Sequence, residues 1–344
     1  MDWSYKITYS LVKNGELSSQ TFQLLFKQVT LKQETLKTLF SIPQTSHEAA
    51  VVTCGTFDGL HLGHRRIIES TTQTAAEKKL PSIAVTFWPH PRRVLYPDDN
   101  DLRLLSEREE KLKILETLGL DYQIEIPFTR DFSRLSALEF VRDILVKQLR
   151  MDTLVVGYDH HFGRNREGSI GQMNEYAGTY GFEVREVGAL TMKNEPISSS
   201  RIRKAILQGH IENANEMLGY PYSFAGTVIR GDGRGRTIGF PTANVLPSEP
   251  LKLIPETGVY VVSAKINGER LHGMMNIGFH PTFQAADVSQ CEVNLFDFDR
   301  DIYGESIRVM VHKRIRAEEK FSGVDALINR LHHDKEIALS FFQS

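Results

Sequence analysis

Cysteine is scarce in this chain. There are two among 344 residues, Cys54 and Cys291. They stand far apart and fit no metal-ligand or redox spacing, which argues against a disulfide framework, a zinc knuckle and a C-x-x-C centre. Two reduced thiols in a cytoplasmic protein are expected. Long apolar runs are also missing: nothing approaches the roughly 20 apolar residues that a membrane-spanning helix needs. The first residues, Met1-Asp2-Trp3-Ser4-Tyr5-Lys6, are not a basic stretch leading into an apolar one, so no secretory leader is expected. Charge of one sign is lacking as well. Lys and Arg number 41 against 43 Asp and Glu, a net charge of -2. Neither nucleic acid nor an anionic membrane gains a bulk electrostatic handle from that. The remaining composition is that of an ordinary globular protein, and the length is about twice that of a typical domain, so two domains are expected.

A change of texture divides the chain. Residues 1–46 are rich in Gln, Thr and Lys with weak apolar periodicity. They read as an extension, and the pattern leaves strand or short helix open. From residue 50 onward, short apolar runs alternate with helical patterns. Strands are expected at 51–53, 83–87, 122–127, 153–157 and 182–187, with helices at 62–79, 106–118, 136–149, 169–180 and from 198. Two S-x-x-E boxes, Ser106/Glu109 and Ser136/Glu139, mark helix starts. This alternation implies βαβ units and a doubly wound parallel α/β sheet. In such sheets ligands bind where strand C-termini meet helix N-termini. Beyond residue 220, Gly and Pro become frequent and strands are expected at 224–230, 258–266, 271–277, 291–297 and 306–314. That is the pattern of a small antiparallel β-barrel, followed by helical periodicity over 322–342. The expected division is an extension over 1–46, an α/β domain over 47–210 and a barrel domain with C-terminal helices over 211–344.

Two stretches carry chemistry. The first is Gly55-Thr56-Phe57-Asp58-Gly59-Leu60-His61-Leu62-Gly63-His64, at a strand-to-helix turn. Glycine lets backbone approach a ligand closely, and a helix N-terminus presents unpaired N–H groups and the positive end of a dipole, which suit phosphate. His61 and His64 are three apart and share a helical face. Two imidazole donors there suit the charge that builds on an α-phosphate as pyrophosphate leaves. Zinc is a poor fit, because spacing places no third ligand. Downstream, Ser198, Ser199 and Ser200 open a helix and can cap it or donate to phosphate, while Arg201 and Arg203 add positive charge. The second stretch is Gly231-Asp232-Gly233-Arg234-Gly235-Arg236-Thr237-Ile238-Gly239-Phe240-Pro241-Thr242-Ala243-Asn244. Its glycines suit a loop that wraps phosphates. It is not a Walker A loop, since G-K-[ST] is missing. Thr242 and Asn244 alternate on an extended segment and face one side. Their hydroxyl and amide oxygens suit Mg²⁺ held jointly with ATP phosphates. Glu292 sits in the alternating strand Cys291-Glu292-Val293-Asn294-Leu295, where a carboxylate can take a proton from an attacking hydroxyl.

The first stretch resembles the H-x-G-H nucleotidylyltransferases, and specifically the bacterial bifunctional riboflavin kinase/FAD synthetase family. Thr86-Phe87-Trp88-Pro89-His90-Pro91, Gly157-Tyr158-Asp159-His160-His161-Phe162-Gly163 and Ile197-Ser198-Ser199-Ser200-Arg201-Ile202-Arg203 are similar to that family's first domain. Pro241-Thr242-Ala243-Asn244, Gly258-Val259-Tyr260, Asn276-Ile277-Gly278-Phe279-His280-Pro281-Thr282-Phe283, Glu292, Asp301-Ile302-Tyr303-Gly304 and Arg316-Ala317-Glu318-Glu319-Lys320-Phe321 are similar to its riboflavin kinase domain. The resemblance covers roughly residues 50–343 and leaves 1–46 unexplained.

The resemblance implies riboflavin, FMN and ATP as small-molecule partners, FMN as intermediate and FAD as product, with Mg²⁺ accompanying ATP. It implies Glu292 as the kinase base, Thr242 and Asn244 holding Mg-ATP, Pro89, Asp159, Asn276 and Arg316 about the flavin, and the segments around His61, His64 and 198–203 binding ATP in the adenylyl step. One departure stands out. The family usually has Asn where this chain has Thr56, which lacks the amide's paired donor and acceptor. Two other readings stay open on sequence. One is a nucleotidylyltransferase with another acceptor and a barrel that only binds; absence of ADP production would mark it. The other is a flavin sensor without turnover, which the co-occurrence of His61, His64, Thr242, Asn244 and Glu292 opposes.

Overall fold

The computed structural model describes residues 37–39, 48–98, 102–158, 168–279 and 289–343. In chain order the elements are strand β1 (Lys37–Leu39), β2 (Ala50–Cys54), helix α1 (Leu62–Lys78), β3 (Ser82–Trp88), α2 (Arg108–Glu116), β4 (Tyr122–Pro127), β5 (Met151–Gly157), α3 (Ile170–Tyr180), β6 (Glu183–Val187), the hairpin β7 (Thr191–Met192) and β8 (Glu195–Pro196), α4 (Ser199–Leu207), α5 (Ile211–Leu218), β9 (Tyr222–Ile229), β10 (Ala243–Pro247), β11 (Gly258–Ile266), β12 (Glu269–Phe279), β13 (Ser289–Leu295), β14 (Ser306–Arg316) and α6 (Val324–Gln343). Short helical turns lie over Pro91–Leu95, Phe132–Arg134, Ala137–Glu139 and Arg234–Thr237, and Phe140–Val146 is a π-helix.

Two compact units emerge. The first comprises residues 1–56, 67–97 and 118–188, the second 57–66, 98–117 and 189–344. The second therefore takes three segments, 57–66, 98–117 and 189–210, that the expected division at 210/211 assigned to the α/β domain.

The first unit is a parallel sheet in the order β1-β4-β3-β2-β5-β6. Strand order reverses between β2 and β5, the switch point at which ligands bind in doubly wound sheets. The motifs Gly55–His64 and Gly157–Gly163 follow those two strands. The sheet is centred on β2, β3 and β5, which are near-continuous apolar runs, as parallel strands buried on both faces are. Val52, Val85, Ile124 and Leu154 pack on one face with Phe140, Val141 and Leu145, and Val51 and Val155 pack on the other with Ala75 of α1. Lys78, closing α1, pairs with Asp152 at 2.6 Å and Glu183 at 2.9 Å. The open question about the extension is answered in part: Lys37–Leu39 adds a parallel edge strand in register with Tyr122–Ile124.

The second unit is built on a closed antiparallel barrel, β10-β13-β12-β11-β14-β9. Its strands alternate, and the inward set (Phe224, Val262, Ala264, Met275, Val293, Val309) is fully enclosed with Ile202, Ile206, Ala214 and Leu218 of α4 and α5. Where C-terminal helices were expected, one is observed among the described residues, α6, which covers Phe240, Val261, Met274 and Phe296 through Ala338.

The Ser136/Glu139 capping box forms as expected. The Ser106/Glu109 box does not. The cap of α2 is Glu107, which makes a reciprocal box with Glu110, and the Ser106 hydroxyl is drawn away to Asp58 and Gly59. The S-E-x-E-E run 106–110 offers two overlapping frames, and tertiary partners select between them. Both cysteines are free and buried, as expected, and burial pushes the Cys291 thiol up to about 12.

Candidate active sites

His61 stands immediately before α1, and its carbonyl accepts the Arg65 amide at 3.0 Å, which makes it the N-cap. Its ring replaces the usual hydroxyl cap: Nδ1 accepts the His64 amide at 3.2 Å. That bond puts the proton of the neutral ring on Nε2. The two imidazoles are stacked, 3.6 Å between centroids at 17°. Burial, then the neighbouring His61, Lys111 and Arg203, hold His64 well below the ordinary histidine range. The stacking opposes a second charge, since two imidazolium rings at that distance repel. His64, held uncharged, offers a developing anion hydrogen bonds and not fixed charge.

The loop ahead of the histidines is held by its own chain. Asp58 is buried and accepts the amides of Leu105 at 3.0 Å and Ser106 at 3.1 Å. It also pairs with Arg203. The Gly59 amide donates to Ser106 Oγ at 2.9 Å, and the Gly59 carbonyl accepts the Tyr220 hydroxyl at 2.6 Å. Gly59 has φ +81°, where a side chain is strained, and an added Cβ would meet Leu105 at 2.9 Å. Phe57 is buried edge-on to His64. Ser198 caps α4 through the Arg201 amide at 3.3 Å, Ser199 donates to the Asp58 carbonyl at 3.0 Å, and Ser200 is exposed in the first turn. Gly63 faces the Ile197 carbonyl. Arg201 is engaged with Glu195 at 3.2 Å and with the carbonyls of Glu195 and Pro196 at 2.8 Å. So the second unit gathers Phe57, Asp58, Gly59, His61, Gly63, His64, Ser198–Arg201 and Arg203, with the arginines fastened to protein groups. Gly55, Thr56 and Pro89 belong to the sheet unit. Gly55 extends β2, its amide donating to Val85 at 3.0 Å, and Pro89 follows a cis peptide at the end of β3. Asp159, with His160 and His161, lies outside the described residues.

The barrel carries the second constellation. Register aligns Asn244 of β10, Glu292 of β13 and Asn276 of β12 in one row across three strands. Thr242, Asn276 and Glu292 open on one cavity of about 360 Å³, shared with Asn294, Arg316 and the apolar Phe240, Val259 and Met274. Thr242 Oγ1 lies 3.5 Å from Glu292 Oε2. The Asn244 amide oxygen accepts from Gln290 Nε2, and Asn294 Nδ2 holds the Pro241 carbonyl at 2.7 Å. Thr242 and Glu292 bring oxygens to the cavity, which suit a hard cation such as Mg²⁺, whereas the amide oxygen of Asn244, beside them in the row, is held by Gln290. Among the described residues no group of three or more His, Cys, Asp or Glu is placed to hold a metal. Arg316 is clamped to the buried Asp334 of α6 at 2.9 Å and lies over the Phe321 ring.

The glycine loop follows β9. Gly231 packs on Asn244, Gly233 precedes a short turn over Arg234–Thr237, and Gly235 lines the cavity with Arg234. Thr237 donates to the Arg234 carbonyl at 2.7 Å, and Arg236 and Gly239 are exposed. Sequence reading took Glu292 alone from its strand. The alternation Gln290, Glu292, Asn294 was the available signal for its two polar neighbours on the same face. Ser106 was read as a cap, and the buried Lys252 carried no signal at all.

The comparisons with known proteins accord with both constellations. A family model described as FAD synthetase matches residues 43–201, and one described as riboflavin kinase matches 218–342. The bifunctional riboflavin kinase/FMN adenylyltransferase of Listeria monocytogenes is 42% identical over 292 residues, covering 85% of this chain and 92% of that protein. Those of Bacillus subtilis, 40% identical over 86% of this chain and 93% of theirs, and of Escherichia coli, 37% over 89% and 97%, are also similar. A crystal structure from Streptococcus pneumoniae, described as a macrolide-efflux protein, shares the fold with a TM-score of 0.80 and 32% identity, covering 88% of this chain and 98% of that one. Motif, fold and similarity agree: this chain belongs to the bifunctional riboflavin kinase/FMN adenylyltransferase family.

Proposed function

We propose that the chain makes FAD from riboflavin in two ATP-dependent steps, with the barrel row as the kinase site and the stacked histidines as the adenylyl-transfer site. In the first step the 5′-hydroxyl of riboflavin attacks the γ-phosphorus of ATP, the new O–P bond forms, and ADP departs with the bridging oxygen. Glu292 accepts the hydroxyl proton. Asn276 and Arg316 orient the flavin, and the loop 231–239 wraps the phosphates. Thr242 and Asn244 would hold Mg²⁺ brought with ATP, which neutralises phosphate charge. The observation that carries this assignment is that Thr242, Asn276 and Glu292 open on one cavity large enough to take a ligand.

In the second step a phosphate oxygen of FMN attacks the α-phosphorus of a second ATP, and pyrophosphate leaves. A phosphate monoester is already anionic at neutral pH, so this step needs donors to developing charge more than a strong base. His61 and His64, stacked at a helix start, supply them. Asp58 and Arg203 keep the loop in shape, and the serines of 198–200 line the same helix start. For Gly55, Thr56, Pro89 and Asp159 a role in nucleotide or flavin binding rests on the resemblance of their motifs. Domains over 47–210 and 211–344 describe where the catalytic motifs lie, and the cytoplasm is where their nucleotide substrates are.

The test is a time course with riboflavin, ATP and Mg²⁺, with flavins separated by chromatography. FMN rising before FAD is expected. FMN that never converts would remove the histidine assignment, and no flavin product from folded protein would remove both.

A further inference from the structure

The segment ahead of α2 makes bonds on both its sides. On one side it touches the histidine loop. Asp58 accepts the Leu105 and Ser106 amides, Ser106 Oγ takes the Gly59 amide at 2.9 Å, and Arg203 donates to the Arg103 carbonyl at 2.8 Å. On the other side it is joined to the barrel. The Leu104 amide donates to the Leu251 carbonyl at 2.7 Å and the Leu253 amide returns to the Leu104 carbonyl at 2.9 Å. Lys252, fully enclosed, donates to the Leu105 carbonyl at 2.7 Å and to Glu110 at 2.8 Å. Ser223 of β9 donates to Glu110 at 2.7 Å, the Ala225 amide to Glu107 at 2.7 Å, and Arg308 of β14 pairs with Glu107 at 3.0 Å. All of these residues belong to the second unit. Neither Lys252 nor Ser106 faces the kinase cavity.

A buried lysine that holds both a carboxylate and the carbonyl of the residue beside Ser106 fixes backbone, not only charge. The next link is the Gly59 amide, two residues before His61. We infer that residues 104–110 are a strap through which the barrel holds the histidine loop in shape for adenylyl transfer, with Ser106 and Lys252 as positioning residues. The inference rests on the adenylyl assignment made above.

Ser106→Ala leaves the Gly59 amide buried without its acceptor, and kcat for FMN-to-FAD conversion should fall about tenfold with KM for FMN within about twofold. Riboflavin-to-FMN conversion by the same molecule should stay within about twofold, and Ser106→Thr, which keeps the hydroxyl, should restore the loss. Removing one partner of the Lys252–Glu110 pair risks unfolding, so the second variant is the neutral double Lys252→Met with Glu110→Gln, expected to show the same split. Hydrogen exchange gives a readout independent of turnover: the Gly59 amide should lose protection in both variants. Retained adenylyl transfer, parallel loss of both activities with a lowered melting temperature, or unchanged Gly59 protection would each overturn the strap. Failure of the unsubstituted chain to make FAD would instead count against the functional reading, and the exchange measurement would still decide the strap.

Discussion

Gly231→Ala is a methyl-sized probe of the kinase site. The Gly231 backbone is not in the left-handed region, so alanine is tolerated by the main chain and the effect is steric. Its Cβ would sit 2.0 Å from Asn244 Nδ2 and 2.6 Å from Cγ. Ordinary contact lies near ~3.5 Å, so the amide must retreat by about 1.5 Å. Gln290 holds the other end of that amide, and the retreat breaks the bond or drags Gln290 along. Misplacement of an ATP-orienting group by about 1 Å costs on the order of 100-fold in rate, and overpacking costs about 1–3 kcal/mol of stability. Riboflavin phosphorylation, read by chromatography at saturating Mg-ATP, should therefore fall about 100-fold with a modest drop in melting temperature. FMN-to-FAD conversion should hold within about twofold. Kinase activity within about threefold of the unsubstituted chain would refute the reasoning, because Asn244 would then be free to move without consequence.

Three other outcomes are expected. Glu292→Gln should lower FMN formation by about 100-fold or more and leave FMN-to-FAD conversion intact, while His64→Ala should do the reverse; loss of both activities in either folded variant would break the two-site scheme. Stability should fall on acidification. His312, hydrogen-bonded to Ser263 at 2.8 Å, is pulled by burial from 6.5 to about 4, and His64 is also lowered. A folded-state pKa below the unfolded value leaves stability whole above 6.5 and erodes it as pH drops, by about 2 kcal/mol at pH 5 from His312 alone. Urea titrations at pH 7.5 and pH 5 test this, and His312→Gln should flatten the difference. Asp334→Asn should loosen Arg316, whose guanidinium it clamps, and raise KM for riboflavin several-fold, about threefold or more, with kcat less affected; unchanged KM would show that Arg316 does not meet the flavin.

Much of the architecture was legible because parallel strands announce themselves. Ala50–Cys54 and Ser82–Trp88 are short apolar runs bounded by helical periodicity, the pattern of strands buried on both faces. Five barrel strands were legible from alternation, within two or three residues of their observed ends, while Ala243–Pro247 was legible only as an extended segment. Helix Ile211–Leu218 was not read, since eight residues hold little more than two turns of period. The motif residues of the kinase row were named from sequence, but their alignment was not, because register between Asn244, Glu292 and Asn276 depends on how three strands slide past one another. The Ser106 misreading has the same origin. Local spacing fitted a cap, while a carboxylate 48 residues earlier in the chain offered its hydroxyl a better partner.

The strap also orders the events of synthesis. Asp58, Ser106, Glu107 and Glu110 leave the ribosome well before Lys252 and Arg308. Until those cations arrive, the two glutamates have no counter-charge to be buried against, and a carboxylate without one stays in water. The loop bearing His61 and His64 is encoded in the first fifth of the chain, yet it acquires its last support from β14, close to the end. The earlier-encoded catalytic centre thus waits for nearly the whole chain, and a nascent chain released short of residue 308 would carry the adenylyl motif without the means to set it.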